Sequence, residues 1–202
     1  MAIYLDEDQY GNDNACVGFR HLVSCMGLVV MTTNDLYGAH LAGTGKPADN
    51  LVGEVASLMK NNGATAIKAI YGCCDRKTRY GKSGPDGEWK KEMKTIAAAL
   101  GYKGKIFGFD TSVIDPGNGT YVEYIPNYTK GQCSVYYKRD EKMNFTTGTA
   151  NGSSFRYDQF HQQSKPFGQY PATTGASIKA TDSNKGKLHE VDYFLRMTEF
   201  TV

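Results

Sequence analysis

The chain is short of the features that announce a bound ligand or a special compartment. Its four histidines and five cysteines form no CxxC pair and no HxxxH spacing, so neither a zinc site nor any other metal or cofactor is expected. Five is an odd number of cysteines, and Cys73 and Cys74 are adjacent, which argues against a disulfide framework. A net charge of +2 supplies no strong basic patch, and no nucleic-acid partner is expected. No apolar run has the length of a membrane span, and the start MAIYLDEDQYGNDNACVGF lacks the positive and apolar parts of a secretory signal. Neither a membrane partner nor Sec-type export is expected. The Asn-x-Ser/Thr triplets at Asn118, Asn127, Asn144 and Asn151 matter only in a secretory lumen, and carry no weight here.

What remains is an ordinary globular composition, 40% hydrophobic and 22% charged over 202 residues, enough for one well-buried core. Helices are predicted from Asp49-Asn50 to Asn61 and from Glu88 to Leu100, each with apolar residues at helical spacing and a glycine soon after its end. Strands are predicted at residues 2–5, 64–74, 105–109, 121–125 and 133–138, with the stretch before Gly18 read as a polar loop and residues 77–87 as a mobile basic loop. Between residues 144 and 184 aliphatics almost vanish and aromatics stand alone, which predicts a long irregular extension. Residues 189–202 return as a strand. The fold class is therefore α+β: one domain, with a central mostly antiparallel, sandwich-like sheet flanked by two helices, a core over about residues 18–143, and an irregular C-terminal extension.

The chemistry concentrates in residues 19–43, FRHLVSCMGLVVMTTNDLYGAHLAG. Two apolar runs, Met26 to Met31 and Leu36 to Leu41, flank the polar quartet Thr32-Thr33-Asn34-Asp35, a hairpin signal. A period of two puts Cys25 on the face of Val29 and Met31, and His40 on the same face of the partner strand. The register decides how close they come. A turn centred at Thr32-Thr33 sets His40 opposite Cys25, and a tight Asn34-Asp35 turn sets it opposite Val29. In the second case a bulge, with Gly27 and Gly38 as plausible places, is needed to bring the pair together.

Cysteine is a strong nucleophile once its thiol loses its proton, and an imidazole beside it can share that proton and later donate one to a leaving amine. Cys25 and His40 supply both parts, as a thiolate–imidazolium pair at neutral pH. Backbone N–H groups, that of Cys25 and of a neighbour, are the simplest oxyanion donors. The group that orients His40 is a backbone carbonyl or a side chain. Ser24, Asn14 and Tyr37 are the candidates for orienting or oxyanion roles, with His21 a weaker one. The alternative is an inert buried Cys25 in a protein-binding domain.

The motif Leu22-Val23-Ser24-Cys25 resembles the small-residue-Cys signature, LGSC in CheD and SGC in the toxins, of the cysteine deamidases typified by the chemotaxis protein CheD and the catalytic domain of cytotoxic necrotizing factor. Tyr37-Gly38-Ala39-His40-Leu41-Ala42-Gly43-Thr44-Gly45 is similar to the toxin's His-Thr-Gly segment. The order of elements is similar over residues 18–143. Val23 stands where CheD has glycine, and Phe19 where CheD has a catalytic threonine, so the likeness is to the toxin branch, in which a backbone carbonyl orients the histidine. The resemblance implies a protein glutamine deamidase with Cys25 and His40 catalytic and no cofactor. It also implies a bacterial toxin or effector, secreted without a Sec signal and delivered into a target cell, where it acts in the cytosol. The implied partners are a host regulatory protein bearing a reactive glutamine, such as a small GTPase, and a cognate inhibitor or immunity protein. Related thiol enzymes, a transglutaminase, amidase or protease, would use the same pair.

Overall fold

A computed structural model describes residues 3–5, 7, 9–43, 49–81, 83–114, 119–139, 145–149, 153–156, 176–180 and 188–202. In chain order its elements are β1 (Ile3–Leu5), β2 (Gln9–Asp13), β3 (Val17–Leu22), β4 (Met26–Met31), β5 (Leu36–Leu41), α1 (Asp49–Asn61), β6 (Ala69–Cys74), α2 (Arg76–Tyr80), α3 (Pro85–Leu100) and β7 (Lys105–Asp110). They continue through β8 (Thr120–Asn127), β9 (Gln132–Arg139), β10 (Phe145–Thr149), β11 (Ser153–Arg156), β12 (Ala176–Ala180), β13 (His189–Glu190), α4 (Tyr193–Arg196) and β14 (Met197–Thr201).

Two sheets carry the fold. One runs β11-β2-β5-β4-β6-β7-β14 and the other β1-β3-β8-β9-β13, while β10 and β12 pair separately. The pairings are antiparallel apart from β1 with β3 and β6 with β7. Alternation along the strands builds two cores, one on each face of the longer sheet. Val29, Met31, Leu36, Tyr71 and Phe107 of that sheet meet Ile3, Leu5, Phe19, Val122 and Val135 of the shorter one. On the other face Leu28, Val30, Ala39, Leu41 and Ile106 meet Leu58 and Met59 of α1 and Trp89, Met93 and Ile96 of α3. The result is the expected α+β sandwich with two helices laid over one side.

Several local expectations change. Residues 9–13, read as a polar loop, form β2 because the edge of β5 is open to them, and tertiary pairing overrides the low strand propensity of Gly11, Asn12 and Asp13. The basic loop beginning at residue 77 instead carries α2. Asp75 caps this helix by accepting from the Thr78 N–H at 2.9 Å, and Arg76 and Arg79, three apart, turn inward. The second main helix starts at Pro85, in the first turn, where a missing N–H costs nothing. Within the extension, β10 and β12 pair with each other and β11 joins the edge of β2. Its aromatics Tyr157, Phe160, Phe167 and Tyr170, like Thr44 to Pro47 of the break that the sequence predicts over Gly43 to Pro47 and most of the turn that it predicts at Asp115 to Gly119, lie outside the described residues. The last strand pairs with β7, as the return to the sheet requires.

The helix layer packs without slack where β7 meets α3. Trp89 is fully buried under the Arg76 guanidinium, which lies 4.0 Å from the ring centroid. A Cβ on Gly108 would come within 2.1 Å of the indole and 2.6 Å of Arg76 Nη2. Gly108→Ala is therefore expected to destabilise the fold by about 1–3 kcal/mol. Urea unfolding would register this as a lower midpoint at unchanged slope, whereas an unchanged midpoint would mean that this interface yields.

Candidate active site

The β4–β5 hairpin sets the site. Its loop is closed by the Thr32 N–H donating to the Asp35 carbonyl at 2.9 Å and by the Asp35 N–H donating to Thr32 Oγ1 at 3.0 Å. The register that follows places Gly27 opposite His40 and Met26 opposite Leu41. This is midway between the two registers the sequence allows, and it needs no bulge. Cys25, one residue before β4, stands on the His40 face, a diagonal step from it, or roughly 7–8 Å between Cα atoms if the ladder continues.

His40 is 2% exposed, and its Nδ1 lies 2.9 Å from the Leu5 carbonyl oxygen on β1. A carbonyl only accepts, so Nδ1 carries the proton and Nε2 is the basic nitrogen. The Phe19 ring meets the imidazole edge-on, with centroids 5.9 Å apart. It has the room to do so because Gly27, across the ladder from His40, has no side chain: a Cβ there would fall 2.7 Å from the Phe19 ring. Burial is the main cause that lowers the His40 pKa to about 4, the Leu5 hydrogen bond opposes it, and the nearby cationic side chains of Arg79 and Arg20 act in the same direction as burial.

Cys25 is 7% exposed. Its thiol donates to the Glu7 carboxylate at 3.6 Å. Burial pushes the thiol up to about 11, with Glu7 adding to the rise and the Gly43 N–H and the Arg79 charge opposing it. The expectation of a resting thiolate–imidazolium pair is thereby corrected. At neutral pH the thiol keeps its proton and the imidazole is uncharged, because both are buried and the nearest carboxylate disfavours the thiolate. No ion pair is preformed between the two groups.

The remaining candidates separate clearly. Ser24 lies beside Cys25 in the chain, where its carbonyl accepts from Arg79 Nη1 at 3.1 Å and its hydroxyl donates to the Gly43 carbonyl at 3.5 Å. Asn14 does not approach His40, since it follows Asp13, which pairs with Leu36 at the loop end of β5, whereas His40 is near the other end. Tyr37 does not either, because it faces the helix layer, the opposite side of the sheet from His40. His21 is an exposed residue in the left-handed region at the irregularity of β3, close to Gly119. Cys73 and Cys74 are fully buried packing residues.

Four participants escaped the sequence reading. The carbonyl of Leu5 has no residue-specific signal, and Glu7 sits in a polar stretch like many others. Gly43 opens the stretch Gly43 to Pro47, whose glycines and proline predict a chain break, although its closeness to Ser24 is what demands glycine. Arg79 was assigned to solvent by the composition of its neighbours, yet it is 2% exposed. No family model matches the chain, and no curated protein matches it either.

The Glu7 contact is open to test. In Glu7→Gln the negative charge is gone, so the Cys25 titration midpoint is expected to fall from about 11 toward the ordinary thiol value of 9.0. Alkylation at pH 8 should then be faster, by about threefold for each pH unit the midpoint falls once the accompanying loss of nucleophilicity is counted. The check is the pH profile of iodoacetamide labelling at Cys25, followed by mass spectrometry. A midpoint that stays or rises would show that Glu7 does not act on the sulfur.

Proposed function

We propose that the protein is a cysteine-dependent deamidase that converts a glutamine of a protein substrate to glutamate and ammonia. The observation that supports this reading is the placement of Cys25 and His40 on one face of the β4–β5 hairpin, with the imidazole held by a backbone carbonyl in the tautomer that leaves Nε2 basic. As the Cys25 sulfur attacks the carboxamide carbon, His40 Nε2 takes the thiol proton and then gives it to the departing ammonia. Water, deprotonated by the same nitrogen, hydrolyses the thioester and restores the thiol. Side chains and backbone suffice for every step.

Deamidation exchanges an amide donor for a negative charge. That change disables a glutamine that positions an attacking water, as in GTPases, which makes a host regulatory protein of that kind the proposed target. The resemblance of the His40 segment to the toxin deamidases supports an effector acting in the cytosol of a target cell after Sec-independent delivery, with an inhibitor or immunity protein as its second partner.

The test is intact-mass measurement of candidate substrate proteins incubated with the wild type, Cys25→Ser and His40→Ala. The expected result is a gain of about one mass unit at a glutamine, with ammonia release, in the wild type alone, as the acyl-enzyme route requires. Peptide cleavage or amine incorporation would move the assignment to a protease or a transglutaminase. Full activity of Cys25→Ser would end the proposal.

A further inference from the structure

Arg79 is a buried cation whose guanidinium is used on every side. Nε and Nη2 donate to the two oxygens of Glu92 on α3 at 3.2 and 2.9 Å. Nη1 donates to the carbonyls of Ser24, Ala42 and Leu41 at 3.1, 3.2 and 3.4 Å. Tyr80 donates to the same Glu92 carboxylate. A buried ion pair seldom repays its desolvation through stability alone, and this one grips the two chain segments that bear Cys25 and follow His40.

The peptide bond turns that grip into a direction. In a planar trans peptide the carbonyl and the following N–H point opposite ways, and the described residues contain no cis bond. With the Ser24 and Ala42 carbonyls drawn to the guanidinium, the N–H groups of Cys25 and Gly43 point away from it. For Gly43 this direction agrees with the backbone hydrogen bond that holds the Cys25 pKa down. The two peptides also run against each other: a Cβ on Gly43 would lie 2.2 Å from Ser24 Oγ and 2.3 Å from the Ser24 carbonyl oxygen. Glycine at this position is what lets the pair form.

We propose that Arg79 is the positioning residue of an oxyanion hole formed by the backbone N–H groups of Cys25 and Gly43, which receives the oxygen of the attacked carboxamide. The inference rests on Cys25 being an acyl-accepting nucleophile. As the sulfur–carbon bond forms, the π electrons of the carbonyl move to this oxygen and the thiol proton goes to His40. As they return, the carbon–nitrogen bond breaks and ammonia leaves with that proton. The two N–H groups stabilise the oxygen while it bears the charge, and no side chain on Gly43 stands in its way.

The test compares two reagents on the full chain. p-Nitrophenyl acetate acylates a thiol through a tetrahedral oxyanion and releases a burst of nitrophenolate, whereas iodoacetamide alkylates the same sulfur with no oxyanion. Arg79→Met removes the grip, and Arg79→Lys keeps the charge without the fork that spans Glu92 and the carbonyls. In both variants the Cys25-dependent burst rate, corrected with Cys25→Ala, is expected to fall on the order of a hundredfold, as when an oxyanion donor is lost. The iodoacetamide rate should change far less, so the ratio of the two rates drops by at least about tenfold. Parallel decline of both rates, an unchanged ratio, or loss of the native unfolding transition in both variants would assign Arg79 to stability alone and overturn the proposal. Failure of the underlying reading looks different: the unsubstituted protein itself would give no burst that depends on Cys25.

Discussion

One hydrogen bond crosses the sandwich and ties its chemistry to its fold. The His40 Nδ1–H, on the seven-stranded sheet, donates to the Leu5 carbonyl on the edge strand of the other sheet. A buried imidazole without a partner for its N–H would cost about 1–3 kcal/mol, so packing of β1 against β5 and orientation of the ring are one event. Phe19 closes the ring from the side, in the space that Gly27 leaves open. The segment after β1 then brings Glu7 over the Cys25 sulfur. The N-terminal strand thus positions the proposed base and covers the proposed nucleophile.

The electrostatics of the pair follow from burial more than from the pair itself. Desolvation is the largest cause on both groups, and it pushes the thiol up and the imidazole down. Two neutral groups are the arrangement of least charge for side chains this deeply buried. Under the proposed chemistry, charge appears only when a substrate carbonyl is present, and it appears where donors already stand. This is pre-organisation in the sense that the dipoles are placed by folding and not by the reaction.

The hairpin and its shared face were legible because the apolar runs on either side of Thr32 to Asp35 have a period that does not depend on tertiary context. The exact register was not, because it is set by how Thr32 bonds Asp35 across the loop, and the quartet is compatible with more than one such closure. The helices α1 and α3 carried caps and stripes and were visible. The helix α2 was hidden: its five residues are mostly basic, and only its distant partners, Glu92 on α3 and the carbonyls of Ser24, Leu41 and Ala42, explain why Arg79 turns inward. Strand β2 was hidden for a related reason, since Gly11, Asn12 and Asp13 take strand geometry from the edge they pair with. Of the proposed site, Cys25 and His40 could be singled out from the sequence. Their supports could not, because they are largely backbone groups, which every residue has.

The central claim is that the Leu5 carbonyl fixes a neutral His40 with its basic nitrogen at Nε2. Nitrogen-15 NMR of the imidazole, followed as a function of pH, tests it most directly. The account predicts a ring at neutral pH with hydrogen on Nδ1 and none on Nε2, and a titration displaced downward to about 4. An imidazolium at pH 7, or a neutral ring carrying its hydrogen on Nε2, would contradict it.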